Sequence, residues 1–317
     1  MGSVGSVGTS ALTRGMVRVP GGRFRMGSHD FYPEEAPVHD RDVDAFWMDE
    51  SPVTVAMFRR FVKDTGHVTT AERPPDPEAY PDASPEQVVP GSLVFTPPSH
   101  RVPLDDFLQW WSWVPGAQWR HPEGPGSTTH GRELHPVTHV SHEDATAYAR
   151  WAGKELPTEA EWEFACRGGL EGATYAWGDE PEPNGRAMAN TWQGDFPVHN
   201  DLLDGYERTS PVGAFAPNGY GLKDVTGNVW EWTDSAWTED HTEDHTESAT
   251  ASGGEEHACC GGGGRPASPV AEPASLVIKG GSHLCAPNYC LRYRPAARQR
   301  QTTDSSTSHL GFRCILR

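Results

Sequence analysis

Two cysteines stand close together in a segment that reads GGSHLCAPNYC over residues 280–290. Cys285 and Cys290 are five positions apart, a spacing that allows a small disulfide loop or a two-thiol clamp on one metal ion. Thiolates are soft ligands that favour copper(I), zinc or iron–sulfur chemistry, and zinc needs more protein ligands than a bare pair supplies. The pair therefore suits copper(I). From the spacing alone, a plain disulfide or two buried small apolar side chains remain the alternatives.

Short elements must position this segment. Strand-like runs flank it, and further strands are predicted at residues 17–26 and 43–48. Helices are predicted from Thr54 to Gly66, from Ser141 to Gly153 and onward from Thr158, because each start offers a capping hydroxyl and apolar residues follow at helical spacing. These elements predict a single α+β domain with few helices, short strands and extensive ordered loops.

The charge is strongly negative and unevenly distributed. The chain of 317 residues has a formal net charge of −18, which argues against a nucleic-acid partner. Residues 238–264 begin TEDHTEDHTE and carry almost no large apolar side chain. Such a stretch cannot bury enough surface to offset its ordering entropy, so it predicts a mobile acidic insertion.

The ends of the chain suggest no targeting to a membrane. Residues 1–16 contain no apolar run, and no later stretch is long enough to span a bilayer. The sequence therefore predicts a flexible tail at residues 1–16, one folded domain at 17–317, no membrane partner and a cytoplasmic location.

A set of longer motifs carries a family resemblance. The most telling runs are VPGGRFRMGS, HPVTHVSHEDATAYARWAGKELPTEAEWEFACRGG, PNGYGLKDVTGNVWEWT and KGGSHLCAPNYCLRYRPAARQ. In this order they resemble the formylglycine-generating enzymes, the sulfatase-modifying family, from about Val17 to Arg317. Runs such as PTEAEWE are shared by a wider superfamily, whereas the two-cysteine segment is the specific part. The resemblance implies a C-type-lectin-like fold.

The resemblance also implies roles for individual residues of an active site. Cys285 and Cys290 match the cysteines that bind copper(I) and receive the substrate cysteine. Ser282 and Trp230 match residues that line the family's oxygen-binding pocket, and Tyr289 matches another residue of that site.

Two structural calcium sites are implied in the same way. The first comprises Asn190, Asp204 and the carbonyls of Thr191 and Tyr206. The second comprises Asp224, Glu231 and the carbonyls of Gly227 and Val229. Calcium collects such oxygens from irregular loops. Without the resemblance, the two aspartates fit turn residues that bond to their own backbone.

The implied activity is that of a copper-dependent oxidase. It converts the cysteine of a sulfatase-type Cys-X-Pro-X-Arg motif, in an unfolded or nascent sulfatase polypeptide, to Cα-formylglycine with dioxygen. No organic cofactor is expected, because the chain has no dinucleotide or phosphate-cradling glycine motif.

The chain departs from secretory members of the family at Pro295 and in the acidic insertion, which has no recognised counterpart there. Pro295 stands where those members have a cysteine, which suits a reducing compartment. Cys166 and Cys314 match a disulfide-forming pair in those members, and a reducing compartment can keep both reduced.

Two other functions stay open at this level. One is an iron-dependent enzyme of the same superfamily that forms carbon–sulfur bonds oxidatively, with histidine ligands. The other is a non-enzymatic, lectin-like binding module, which would have no use for the Cys285 and Cys290 pair.

Overall fold

The computed structural model describes residues 12–77, 80, 83–85, 87–242 and 274–317. Within these residues the regular elements are short, as expected, and only one strand exceeds five residues. The helices are α1 (Val55–Thr65), α2 (His142–Trp151) and α3 (Glu159–Arg167). The strands are β1 (Met16–Val19), β2 (Gly22–Met26), β3 (His39–Val43), β4 (Phe46–Asp49), β5 (Gly91–Phe95), β6 (Trp111–Pro115), β7 (Gly194–Asp195), β8 (His199–Asn200), β9 (Trp230–Ala236), β10 (Ser275–Lys279), β11 (Arg298–Thr302), β12 (Leu310–Gly311) and β13 (Ile315–Leu316).

The three helices begin where capping residues predict. The hydroxyl of Thr54 accepts a hydrogen bond from a backbone N–H of the first turn of α1, and Gly66 ends this helix at φ 73°. Ser141 and Thr158 start α2 and α3 with complete capping boxes. All three predicted helices are confirmed, although α2 ends at Trp151, slightly earlier than expected.

The largest sheet frames the cysteine segment. Its strand order is β11-β10-β9-β12, with β10 antiparallel to both neighbours and β12 parallel to β9. Lys279, the last residue of β10, pairs with Arg298, the first residue of β11. The intervening residues 280–297 therefore leave and re-enter the sheet at the same point, which closes the base of the loop that carries both cysteines.

The N-terminal strands differ from the sequence expectation. β1 pairs with β4, which also pairs with β13, whereas β2 pairs with β3, so the two halves of the predicted 17–26 unit belong to different sheets. The predicted strand at 43–48 is also divided, since Val43 ends β3 and Phe46 begins β4. Strand pairing depends on distant partners, which a local pattern does not reveal.

Aromatic side chains fill the core, which consists of two clusters of buried residues. Cys285 and Cys290 belong to the larger cluster, together with Trp230 and Trp232 from β9. Trp162 of α3 belongs to the smaller one. Large aromatic rings supply much buried apolar area, which compensates for the short regular elements.

The tail and the insertion lie partly outside the described residues. Residues 1–11 and 243–273 are not described, so most of both predictions stays untested. The described residues next to these two ranges belong to the folded domain: Met16 is the first residue of β1, and the side chain of His241 is 4% exposed. The carbonyl of Thr238 accepts a hydrogen bond from Arg298 at 2.7 Å. Thr238 and His241 therefore contact the folded domain, and the bounds of the insertion stay a prediction. No helix in the described ranges is long and apolar enough to cross a membrane.

Candidate active site

The segment with both cysteines, residues 280–290, is called the thiol loop below. It begins with Gly280 and Gly281, both at positive φ (95° and 67°). A Cβ atom on Gly281 would lie 2.9 Å from the backbone nitrogen of Tyr293, closer than such contacts allow. Glycine is therefore needed where the chain turns from β10 into the buried loop.

The two thiols converge at one point. The sulfur atoms of Cys285 and Cys290 are 3.1 Å apart, and both side chains are buried, at 2% and 1% exposure. A disulfide bond is about 2.05 Å long, so both residues are reduced cysteines in this structure. A single turn of backbone hydrogen bonds, from the N–H of Cys290 to the carbonyl of Ala286 at 2.8 Å, brings them together.

A small cavity adjoins the thiols. The cavity volume is about 10 Å³, which is room for about one water molecule. Both cysteines line it together with Trp110, Trp111, Phe196, Ser282, Leu284 and Tyr289. The lining residues are thus mostly apolar, and their polar groups are the thiols, two hydroxyl groups and two indole N–H groups.

The aromatic wall of the cavity is a stacked assembly. The ring of Tyr289 lies parallel to that of Phe196, with centroids 4.7 Å apart and 5° between planes. Trp110 packs edge-on against both rings, at 5.3 Å and 5.5 Å. Tyr289 was expected from the sequence, whereas Trp110 and Phe196 come from distant segments that lacked any recognisable spacing.

Ser282 and Trp230 were both expected to line an oxygen pocket. Ser282 does line the cavity, and its backbone N–H points to the sulfur of Cys285 at 3.4 Å. Its hydroxyl lies 3.0 Å from Nδ1 of His309, a residue that the sequence did not single out. Trp230 is fully buried on β9 but does not belong to the cavity wall formed by the described residues. Its assignment to an oxygen pocket stays a prediction.

Comparison with known proteins decides the family. Residues 5–317 match the family model FGE-sulfatase, described as "Sulfatase-modifying factor enzyme 1-like domain". The chain belongs to the FGE-sulfatase family. It is 53% identical over 306 residues to the formylglycine-generating enzyme of Mycobacterium tuberculosis, covering 95% of this chain and 97% of the relative. It is 48% identical over 308 residues to the enzyme of that name from Thermomonospora curvata, covering 96% and 93%.

A solved structure supports the fold of this family. The structure of PvdO from Pseudomonas aeruginosa matches with a TM-score of 0.58 at 23% identity, covering 95% of this chain and 93% of PvdO. At this identity the likeness concerns the fold alone. It confirms a single domain with few helices and mostly short strands.

The calcium ligands implied by the FGE-sulfatase resemblance lie in two segments, here called the first oxygen loop (residues 190–206) and the second oxygen loop (residues 224–231). Both loops bond directly to the thiol loop. The N–H of Trp192 donates to the carbonyl of Cys285 at 3.0 Å, and the N–H of Gly227 donates to the carbonyl of Gly280 at 2.8 Å. His283 donates its backbone N–H to the carbonyl of Asn228 at 3.1 Å. The two oxygen loops therefore brace the thiol loop.

The first oxygen loop contains an unsatisfied buried oxygen. Oδ1 of Asn190 is buried without a hydrogen-bond partner, which is costly unless an ion or water satisfies it. The amide nitrogen of Gln193 donates to the carbonyl of Thr191 and to Oδ2 of Asp204, the latter at 3.0 Å. Asp204 also accepts from the N–H of Tyr206 at 2.9 Å. This donor set of amide, carbonyl and carboxylate oxygens fits calcium.

The second oxygen loop places two carboxylates in the core. Both oxygens of Glu231 accept hydrogen bonds from Arg313 at 2.7 Å, and one also accepts from Trp162. Burial raises the pKa of Asp224 to about 6, and nearby Glu231 adds to the shift. A cation here would offset that cost, so the residues fit calcium, although Arg313 already balances Glu231. Within the described ranges no group of three or more His, Cys, Asp or Glu side chains is arranged to hold a metal ion.

A buried ion network, which the sequence reading missed, lies beneath the thiol loop. Lys279 is fully buried, and its Nζ donates to Glu163 at 3.1 Å and to the carbonyl of Ala296 at 3.3 Å. Burial alone raises the pKa of Glu163, but Lys279 and Arg167 outweigh it and lower this pKa to about 2. The ammonium group of Lys279 thus ties the two ends of the 280–297 loop to α3.

The remaining described cysteines are separate from the thiol site. Cys166 and Cys314 are fully buried and reduced, and neither forms the disulfide that the resemblance suggested for secretory members. Burial raises the pKa of both thiols, which keeps them protonated and unreactive.

Proposed function

We propose that this chain oxidises a cysteine in sulfatase-type polypeptides to Cα-formylglycine, with dioxygen as oxidant and copper(I) held by Cys285 and Cys290. Membership of the FGE-sulfatase family and relatives named formylglycine-generating enzyme support the oxidation of a sulfatase cysteine. The dependence on copper and the Cys-X-Pro-X-Arg motif go beyond what these relatives support, and both belong to the proposal.

One observation carries the copper assignment. Two reduced, buried thiols have their sulfur atoms 3.1 Å apart at the edge of a cavity. A pair of sulfur donors is soft and low in number, which suits copper(I) better than zinc or a hard cation. Copper(I) bound there would supply one-electron chemistry with dioxygen, which the side chains themselves lack.

The chain's own residues would prepare the site for this chemistry. Cys285 and Cys290 hold the metal and leave the cavity side open to the substrate thiol. The stacked rings of Tyr289 and Phe196, with Trp110, exclude water from the reacting atoms. The cavity beside the thiols has room for about one water-sized molecule.

The substrate enters as an extended polypeptide in this account. The thiols lie at the bottom of a buried site, so a cysteine within a folded domain could not reach them. The substrate is therefore an unfolded or nascent sulfatase chain, and the two oxygen loops serve as calcium-bound braces of the thiol loop. A cytoplasmic location is proposed with it, since reduced thiols persist in a reducing compartment.

Mass spectrometry of a peptide tests the proposal. A Cys-X-Pro-X-Arg peptide is incubated with protein, copper(I), a thiol reductant and air, and a matched peptide with serine for cysteine is the control. In the expected product one oxygen atom replaces the sulfur atom together with two hydrogen atoms of the cysteine. This product reacts with an aldehyde probe. Absence of this product under copper-loaded, aerobic conditions would contradict the proposed activity.

A further inference from the structure

The hydroxyl group of Ser282 has limited freedom in the thiol loop. Its Oγ accepts a hydrogen bond from the backbone N–H of Leu284 at 3.2 Å and lies 3.0 Å from Nδ1 of His309. A serine hydroxyl has one proton and two acceptor lone pairs. The backbone N–H of Leu284 occupies one lone pair. The direction of the hydroxyl proton therefore depends on whether Nδ1 of His309 donates a hydrogen bond to this oxygen or accepts one from it.

His309 is held firmly beside Ser282. Its side chain is 1% exposed, and its ring packs edge-on against Trp111 with centroids 4.8 Å apart. Its backbone carbonyl accepts a hydrogen bond from the N–H of Trp230 at 2.8 Å, immediately before β12 joins β9. The imidazole therefore cannot move away from Ser282 without disturbing either a strand or the cavity wall.

The two neutral forms of the imidazole have opposite effects on the cavity. With its proton on Nδ1, His309 donates a hydrogen bond to Ser282. Both lone pairs of the serine oxygen are then occupied, so the hydroxyl proton turns toward the remaining side. Ser282 lines the cavity, and its backbone nitrogen lies 3.4 Å from the sulfur of Cys285. With its proton on Nε2, His309 accepts the hydroxyl proton, and the cavity faces an oxygen that can only accept.

We infer that His309 carries its proton on Nδ1 and acts as a positioning residue, which makes Ser282 a hydrogen-bond donor into the cavity. The inference rests on the proposed oxidation at the thiol pair. Dioxygen that is reduced there gains negative charge, and a preoriented donor in a site without bulk water stabilises such charge strongly. Ser282 is then the group that touches the reacting atoms, and His309 acts through it.

A second buried histidine–serine pair provides a matched control. His139 is fully buried, with Nδ1 2.8 Å from the hydroxyl of Ser92 and Nε2 2.8 Å from the carbonyl of Pro122. Neither residue lines the cavity beside the thiols. His139 has a positive φ of 59°, which asparagine tolerates well, so His139→Asn removes the imidazole without backbone strain.

The direct test is ¹⁵N NMR of the imidazole nitrogens in reduced, metal-free protein. The signals of His309 are assigned by their loss in His309→Asn. The inference expects a protonated Nδ1 and an unprotonated Nε2. A proton on Nε2 would overturn it, whether or not the chain converts the peptide, so failure here is distinct from failure of the proposed function.

Kinetics supply the second test, because a purely structural histidine would not couple to Ser282. We expect His309→Leu and Ser282→Ala each to lower kcat by about 100-fold, with the peptide KM and copper(I) affinity unchanged. The double variant should lose no more than either single one, and His309→Asn, whose amide retains a donor, should recover most of the loss. His139→Asn should change kcat less than about twofold. Additive losses in the double variant, or no rescue by asparagine, would contradict the inference.

Discussion

The thiol loop and the two oxygen loops are in contact, yet their candidate ligand atoms are arranged in opposite ways. In the thiol loop the sulfurs of Cys285 and Cys290 already converge, 3.1 Å apart beside a cavity. In the oxygen loops the protein's own donors occupy the carboxylate ligand atoms, although Oδ1 of Asn190 has no partner: Gln193 bonds to Asp204, and Arg313 bonds to Glu231. The difference indicates that the proposed copper site is preorganised, whereas the proposed calcium would compete with internal hydrogen bonds in the oxygen loops.

The largest expected effect concerns the thiols themselves. Cys290→Ser replaces a soft ligand with a largely protonated, hard alcohol, so copper(I) binding and peptide oxidation should both be lost. Mutations of residues that surround a metal site usually lower metal affinity or activity by about 10- to 100-fold, and the loss in Cys290→Ser should be larger. The matched control is Cys166→Ser, another buried thiol that lies outside the cavity. Equal activity of the two serine variants in the peptide assay would show that the thiol loop has no special role.

A second prediction tests how much the ion network under the thiol loop stabilises the fold. Lys279→Met removes one of the two cations that pair with the buried Glu163 and leaves Arg167 alone to balance it, so we expect a loss of up to about 3–5 kcal/mol in the free energy of unfolding at neutral pH. The native pKa of Glu163 is lowered to about 2 from a usual 4.5, so its pairing stabilises the fold above pH 4.5 and is lost as the pH falls toward 2.

Urea denaturation between pH 7 and pH 3 measures this effect. The difference in the free energy of unfolding between wild type and Lys279→Met should become smaller as the pH falls. Glu163→Gln in the same background should restore part of the stability at neutral pH, because it removes a buried charge that only Arg167 still balances. If this difference in the free energy of unfolding is constant over the pH range, Lys279 acts through packing rather than through its charge.

The smallest effect is expected in the first oxygen loop. Gln193→Ala removes the amide that donates to Thr191 and Asp204, which should cost about 1 kcal/mol in chelator. Calcium no longer has to displace that amide, so the increase in melting temperature on adding calcium should be larger than in wild type. Thermal unfolding with chelator and with excess calcium measures both values. A smaller calcium response than in wild type would mean that Gln193 assists the cation instead of competing with it.

Local signals in the sequence predicted the elements well. Thr54, Ser141 and Thr158 mark helix starts because capping is a contact between residues only a few positions apart. Cys285 and Cys290 were identifiable because their spacing within one loop already limits their separation. The resemblance to the family then supplied roles that spacing alone left open.

Contacts between distant segments were not predictable in the same way. Phe196 and His309 reach the thiol loop from separate parts of the chain, and no pattern in either segment points to a cavity. Likewise, Arg313 neutralises Glu231 across more than eighty positions, so the sequence suggested a calcium ligand without revealing its competing partner. A single sequence records residue types, whereas such pairings depend on the register of the strands that bring them together.

Copper(I) titration of the reduced, metal-free chain tests the central claim most directly. Wild type and Cys166→Ser should each bind one copper(I) per chain in competition with a colorimetric copper(I) chelator, whereas Cys285→Ser should leave the metal with the chelator. The same samples are then assayed with the Cys-X-Pro-X-Arg peptide in air. Tight copper(I) binding by Cys285→Ser, or full turnover by copper-depleted wild type, would contradict the account.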